Sequence, residues 1–76
     1  MKTKRHAALV EQLRAARLAA ELRQSDAAER CGRSQQWLAN IETGERGLDV
    51  MDFLMLADVI GFDASKIVAR VAKIKG

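Results

Sequence analysis

A three-residue turn near the middle of the chain limits what it can fold into more than any other feature. Two helical patterns, 25–31 and 35–43, are separated only by Gly32, Arg33 and Ser34. Glycine ends a helix easily because it adopts the left-handed conformation without a Cβ clash. Serine starts the next helix, since its hydroxyl accepts a hydrogen bond from a free backbone amide. Two helices joined by so short a turn must cross steeply.

The rest of the chain also carries helical spacing, which predicts an all-α fold. Helical patterns cover 7–22, 50–60 and 64–72. The chain contains no proline, and its β-branched and aromatic residues are too scattered for a sheet. Seventy-six residues make one domain. We expect residues 1–6 to form a flexible basic arm and residues 7–76 to form a single domain.

The composition sets limits on the surroundings and partners of the chain. It has 13 basic and 10 acidic residues, and the net charge of +3 is compatible with a polyanionic partner without requiring one. The single cysteine excludes an intramolecular disulfide and suits a reducing compartment. No apolar run approaches the roughly 18 residues of a membrane span. These observations predict a cytoplasmic protein without a membrane partner.

The sequence offers no constellation of residues that would support catalysis. Its only histidine, His6, lies in the expected arm, and its only cysteine, Cys31, occupies a position where an apolar residue is expected. Asp49 and Asp52 lie at a predicted helix start, where acidic residues favour the helix dipole. Neither a metal-ligand spacing nor a glycine-rich phosphate loop is present. We therefore expect no enzymatic activity, no metal and no cofactor.

The second helix of the central pair has polar amides on one side and aliphatic side chains on the other. Gln35 and Gln36 begin it, and Asn40 lies one turn after Gln36 on the same face. Leu38 and Ile41 would face inward. The DNA major groove admits one α-helix, and glutamine or asparagine can bind an adenine edge through two hydrogen bonds. Two interpretations follow: a base-reading helix, or the polar surface of an ordinary helical bundle.

Residues 9–62 resemble the Cro and phage-repressor type of helix-turn-helix, the XRE family. The residues that carry the resemblance are Gln24, Ala28, Gly32, Leu38, Ile41, Glu42 and Gly44, with Leu13, Arg14 and Arg17 upstream. The resemblance implies a compact five-helix domain of the lambda-repressor-like DNA-binding type, with the helix-turn-helix formed by helices 2 and 3. It also implies a sequence-specific transcriptional regulator, which is either a repressor only or a repressor that also activates. Such a regulator would bind a palindromic operator in double-stranded DNA as a homodimer, through recognition helix 35–42.

The resemblance assigns roles to residues around the recognition helix. It makes Gln35, Gln36 and Asn40 the base-reading residues. The residues assigned to contact with the DNA backbone are Gln24, Arg33, Trp37, Thr43 and Arg46. A partly buried ion pair between Arg17 and Glu42 would tie helix 1 to the end of helix 3. Gln24 would also brace Gln35, the first residue of helix 3.

Two of these residues have alternative interpretations. Trp37 either contacts the DNA, fills the space left by the small Ala27, or serves a partner protein. Arg33 lies either near a phosphate or in water. The sequence leaves both residues open.

A dimer is expected because two related helix-turn-helix units reach half-sites about 34 Å apart on DNA. The expected dimer seam is the apolar stripe formed by Phe62, Ile67, Val71 and Ile74. Alternatively, these residues complete the core of the monomer, a role that we expect instead for Val68. Two other functions remain open. One is an antitoxin-type module that binds a partner protein, such as a second regulatory protein; the other is a helix-turn-helix that no longer binds DNA.

Overall fold

The fold consists of five α-helices within residues 3–75, the part of the chain that the computed structural model describes. Helix α1 spans Lys4–Ala19, α2 spans Gln24–Arg30, α3 spans Gln35–Glu42, α4 spans Val50–Ile60 and α5 spans Ala64–Ala72. The predicted all-α, five-helix architecture is therefore confirmed. None of these helices is long and apolar enough to cross a bilayer.

Helix α1 begins three residues earlier than the sequence predicted. The Thr3 hydroxyl accepts a hydrogen bond of 3.0 Å from the backbone amide of His6, which caps the helix. The Arg5 guanidinium donates to two carbonyl oxygens at the end of α5. Residues 4–6, which the sequence placed in a flexible arm, are therefore helical and tied to the domain, whereas residues 1–2 lie outside the described residues.

Helix α1 also ends earlier than predicted, at Ala19 rather than at 22, because Glu21 adopts a left-handed backbone with a φ of 58°. The amides of Glu21 and Leu22 donate back to the carbonyl oxygens of Leu18 and Arg17, at 3.0 and 3.2 Å. Such a pair of bonds closes the last turn of a helix, usually with glycine in the left-handed position. The closed turn brings the Leu22 carbonyl within 2.8 Å of the Arg17 guanidinium.

Helices α2 and α3 are joined by the predicted turn and pack directly on each other. Gly32 takes the left-handed conformation, with a φ of 70°, and the Arg33 amide donates to the Ala28 carbonyl at 2.9 Å. Ser34 then caps α3 by accepting a hydrogen bond of 3.1 Å from the Trp37 amide. Local turn chemistry thus sets the residue at which α3 begins.

The core lies where helices α1 to α4 meet. Its buried cluster contains Leu13, Ala27, Ala28, Trp37, Leu38, Ile41 and Leu56. Full burial of a leucine or isoleucine side chain stabilises a fold by roughly 1.5–3 kcal/mol. Three of the seven residues belong to α3, so packing fixes how that helix is oriented.

Helix α4 buries only part of the face that its sequence pattern predicts. That pattern predicts a buried stripe of Val50, Phe53, Leu54, Ala57 and Ile60, but Val50 and Leu54 are 69% and 44% exposed. Phe53 and Ala57 are buried as predicted, together with Leu56, which the predicted stripe did not include. Because α4 is apolar on more than one side, residue spacing alone could not choose its buried face. An apolar face of α4 therefore remains exposed to solvent.

Candidate nucleic-acid interface

The two faces of α3 differ in exposure as their sequence pattern predicted. Leu38 and Ile41 are fully buried, whereas Gln35 and Gln36 in the first turn are exposed. A helix whose inner face is held in a packed core presents its outer face in one orientation. The two glutamines thus lie at the N-terminal end of a fixed helix, the position from which a recognition helix reaches base edges.

Gln36 and Asn40 are joined on this outer face. Nε2 of Gln36 donates a hydrogen bond of 2.8 Å to Oδ1 of Asn40. The four-residue spacing places the two side chains one above the other on the helix. Gln36 is exposed and Asn40 is half-buried. Two of the three amides assigned to base reading therefore form a connected pair.

An ion pair inside the domain connects α1 to the end of α3. Nε of Arg17 lies 2.7 Å from Oε2 of Glu42, and Nη2 lies 2.8 Å from Oε1. The Arg17 and Glu42 side chains are only 8% and 3% exposed. Nη1 of Arg17 donates to the carbonyl oxygen of Leu22 at 2.8 Å. The two parallel bonds, together with the third, compensate for removing both charges from water.

Gln24 lies against this ion pair rather than against Gln35. Its Nε2 atom donates to Oε1 of Glu42 at 3.1 Å, which differs from the brace to Gln35 that the family resemblance implied. A carboxylate has enough lone pairs to accept from Arg17 and Gln24 together. A bond to a charged acceptor is also stronger than one between two neutral amides. Gln24 therefore connects the start of α2 to the end of α3.

Trp37 belongs to the core, which corrects its assignment to the DNA backbone. The residue is 8% exposed, and Nε1, its only polar side-chain atom, is buried. It shares the buried cluster with Ala27, whose small side chain leaves volume for an indole.

Arg33 lies over the Trp37 indole, with Cζ 5.3 Å from the ring centroid. Nη2 of Arg33 is also 3.5 Å from Oδ1 of Asp52, so this arginine is neither isolated in water nor fully buried.

The loop after α3 uses several of its own polar groups internally. The backbone amides of Thr43, Gly44 and Arg46 donate to the carbonyl oxygens of Ala39, Ile41 and Asn40, respectively. The Thr43 hydroxyl donates to the Asn40 carbonyl as well, at 3.1 Å. The hydroxyl hydrogen of Thr43 is therefore not free for a phosphate, contrary to its assignment. The side chain of Arg46 is exposed and remains available.

The arrangement agrees with known proteins in sequence and in structure. A sequence profile described as a helix-turn-helix domain matches residues 8–69. The structure is similar to that of an XRE-family like protein from Pseudomonas syringae pv. tomato str. DC3000. The TM-score is 0.86 and the identity 33%, over 95% of this chain and 88% of that chain. The chain belongs to the XRE family. A search of curated protein sequences gave no match.

Membership of the XRE family makes this a helix-turn-helix DNA-binding domain, and the family is generally non-enzymatic. The match over residues 8–69 includes α2 and α3, whose three-residue turn was the feature that most constrained the fold. The exposed amides of α3 thus belong to the element that meets DNA in proteins of this kind.

Arg23 is a residue of the XRE-type α2 that sequence reasoning did not single out. It is the N-cap, and its backbone amide donates to Oδ2 of Asp26 at 3.1 Å, so α2 begins one residue earlier than predicted. The Arg23 side chain is 82% exposed and also bonds to Asp26, which lowers the pKa of that carboxyl group. The sequence signal that could have identified Arg23 as the N-cap is Asp26 three residues later, because an acid at that position completes a capping box. A further guanidinium therefore lies beside Gln24 at the start of α2.

Two residues of the predicted dimer seam, Phe62 and Ile67, pack into the domain itself. Ile67 is 4% exposed, and the ring of Phe62 packs against Phe53 with centroids 5.5 Å apart. Val68, which was expected to complete the core, is exposed instead. The assignments of Ile67 and Val68 were therefore reversed. Neighbouring residues of a helix point about 100° apart, so the rotation of α5 about its own axis decides which of the two is buried.

An apolar groove lies open between α1, α4 and α5. Its lining consists of Leu9, Leu48, Val50, Phe53, Val68, Val71 and Ala72, with Arg5 and Asp49 as the charged members. Met51 and Leu54 are further exposed apolar residues of α4. Val71 and Ile74 of the predicted seam are half-buried. The exposed apolar surface is therefore centred on α4 and Val68 rather than on Ile67.

Proposed function

We propose that this chain is a cytoplasmic, sequence-specific transcriptional regulator that reads DNA through α3. The observation that carries the proposal is the outer face of α3, where Gln35, Gln36 and Asn40 stand on a helix held in the core by its inner face. The exposed amides of Gln35 and Gln36 offer hydrogen-bond donors and acceptors without charge. Such groups distinguish base edges, whereas charged groups mainly attract the phosphates.

Residues that flank α3 would bind the phosphates. Gln24 lies at the start of α2, and Arg46 is exposed in the loop after α3. Arg33 can exchange Asp52 for a phosphate at little cost, because partly exposed ion pairs contribute only about 0–1 kcal/mol. Arg23 adds an exposed positive charge at the start of α2, next to Gln24. Contacts of this kind release counterions, so binding would weaken steeply as salt increases.

The operator would be palindromic, and a second copy of the chain would occupy the apolar groove. One helix-turn-helix covers one half-site, whereas a two-fold pair reaches two half-sites about 34 Å apart. In a two-fold contact the same surface meets itself, so Arg5 of one copy can face Asp49 of the other. Val50 and Val68 would form the apolar centre. This surface replaces the seam predicted from the sequence, and Val71 belongs to both.

Regulation would follow from occupancy of the operator. A dimer bound across a promoter represses transcription, because it blocks the polymerase. A dimer bound beside a promoter can activate it instead. We favour repression, since it requires nothing of the protein beyond binding.

Selection of bound sequences from a random duplex pool, followed by fluorescence anisotropy, tests this function. We expect the wild-type chain to bind a selected duplex much more tightly than a scrambled one. Gln36→Ala should reduce that ratio by roughly 5- to 150-fold, because one bidentate base contact contributes about 1–3 kcal/mol of discrimination. Its binding to scrambled DNA should persist, since the phosphate contacts are intact.

Gln12→Ala is the matched control. Gln12 lies on α1 and accepts a hydrogen bond from Arg70 of α5 at 3.1 Å, away from the α3 amides. This variant should retain the wild-type ratio. If Gln36→Ala also retained it, base reading by Gln36 would be wrong. If the wild-type chain bound no duplex at micromolar concentration in low salt, the regulator proposal itself would fail.

A further inference from the structure

The hydrogen bond between Gln36 and Asn40 has a direction, and the two residues are not equally constrained. Gln36 donates through Nε2 and Asn40 accepts through Oδ1, at 2.8 Å. The loop after α3 holds the backbone at Asn40, because its carbonyl oxygen accepts from the Arg46 amide at 3.0 Å and from the Thr43 hydroxyl at 3.1 Å. The exposed Gln36 side chain is therefore bonded to a half-buried residue whose backbone is held in place.

This bond determines which groups Gln36 presents to the outside. The terminal amide of a free glutamine rotates over a broad range of angles. The bond to Asn40 removes much of that freedom and uses one of the two Nε2 hydrogens. The second hydrogen and Oε1 remain available. One donor beside one acceptor is the pattern that matches adenine, whose N7 accepts and whose N6 donates in the major groove.

We propose that Asn40 is a positioning residue that holds the Gln36 amide against adenine, and that it reads no base itself. The proposal rests on the function proposed above, because it requires α3 to enter the major groove. Gln36 lies in the first turn of α3, from which recognition helices mainly reach the bases. Asn40 lies one turn further along and is half-buried.

Selection from a random duplex pool with single and double variants tests the proposal. Gln36→Ala identifies the base pair that Gln36 reads, where we expect adenine in the wild type and a loss of enrichment of roughly 5- to 150-fold in the variant. Asn40→Ala should lower enrichment at that same base pair by roughly 2- to 10-fold, since the side chain must then be ordered on binding. The double variant Gln36→Ala/Asn40→Ala should lose no more than Gln36→Ala alone.

Asn40→Asp is the matched control for the hydrogen bond. Its carboxylate still accepts from Nε2 of Gln36 but lacks the amide donors of asparagine. The added negative charge should weaken binding to every duplex, while the preference for adenine at the Gln36 position is retained. Gln35→Ala combined with Asn40→Ala should show independent losses, because Gln35 is not part of this bond. Circular dichroism of each variant verifies that the helices are intact.

The outcomes separate the positioning role from the proposed function. If Asn40→Ala changed the preferred base at a different base pair, Asn40 would read that base itself and the positioning role would be wrong. Loss of the adenine preference in Asn40→Asp would contradict it as well. If the wild-type chain enriched no sequence although it bound random duplex, the sequence-specific function and the positioning role would both fail.

Discussion

At the end of the molecule formed by α2 and α3, charge is buried and amides are exposed, whereas at the end formed by α4 and α5 the exposed side chains are apolar. The first end contains Arg17 and Glu42 in the interior and Gln36 on the surface. The second end leaves Val50 and Val68 largely in contact with water. A buried charge and an exposed apolar surface both cost free energy unless another group compensates for them.

The two ends differ in where that compensation is found. Each charge of the Arg17–Glu42 pair meets its partner within the same chain, together with Leu22 and Gln24. The apolar groove has no such cover among residues 3–75, and contiguous apolar surface of this kind marks contact sites between proteins. Substitutions at the first end should therefore change the stability of the single chain, and substitutions at the second should change its association.

The largest effect is expected at the buried ion pair. Glu42→Gln leaves the Arg17 guanidinium, whose side chain is 8% exposed, without a counter-charge. Breaking a buried pair in this way costs roughly 3–5 kcal/mol. That is a large share of the free energy of unfolding, about 4–11 kcal/mol, expected for a chain of this length. Urea denaturation followed by the fluorescence of Trp37, the single tryptophan, measures the loss.

Two comparisons control this result. Arg23→Gln breaks an exposed ion pair and should cause a much smaller loss, because solvent screens both charges. Arg17→Met combined with Glu42→Leu should recover much of the stability lost in Glu42→Gln, since it leaves no charge unpaired. A loss in Glu42→Gln no larger than that in Arg23→Gln would contradict the account of the buried charge.

The next largest effect on the free energy of unfolding is expected when a buried apolar residue, rather than an exposed one, is shortened. Leu38→Ala removes a fully buried side chain of α3 and should lower the free energy of unfolding by roughly 2–5 kcal/mol. Val50→Ala, at the exposed end, should change it by no more than about 0.5 kcal/mol. Both are truncations to alanine, and urea denaturation at low protein concentration measures both in the single chain. Equal losses would mean that the exposed face of α4 contributes to the core of the monomer.

The central helix pair could be predicted well because its determinants act over short distances in the chain. Gly32 and Ser34 set the turn, and the spacing of Leu38 and Ile41 sets the inner face of α3. The Arg17–Glu42 pair is different, because the two residues are 25 positions apart and only the family resemblance connected them. Local patterns thus located α3 without showing what holds its C-terminal end.

The remaining features depend on packing between helices, which spacing does not specify. Trp37 stands beside exposed amides in the sequence, and its burial follows from the volume that Ala27 leaves when α2 and α3 meet. Helices α4 and α5 offer apolar residues on adjacent faces, so their rotation depends on the surfaces against which they pack. For this reason Val50 and Ile67 were assigned to the wrong environments, while the bounds of both helices were predicted correctly.

The smallest effect on the stability of the single chain is expected at Val68. Val68→Lys places a charge in the apolar groove at a residue that is 53% exposed, so the free energy of unfolding should change by no more than about 0.5 kcal/mol. Association should be lost, because a lysine buried without a partner in a two-fold contact is costly. Analytical ultracentrifugation over a range of concentrations should show a dimer for the wild-type chain and a monomer for the variant.

Ala69→Lys is the matched control, since it adds the same charge to α5 at an exposed residue outside the groove lining. This variant should still dimerise. A Val68→Lys variant that dimerised as readily would exclude the groove as the contact between copies. If the wild-type chain were monomeric both alone and on a palindromic duplex, the groove would be a contact site for a different protein rather than for a second copy. The end formed by α2 and α3 would then bind a single half-site, because its buried ion pair and α3 amides need no second copy.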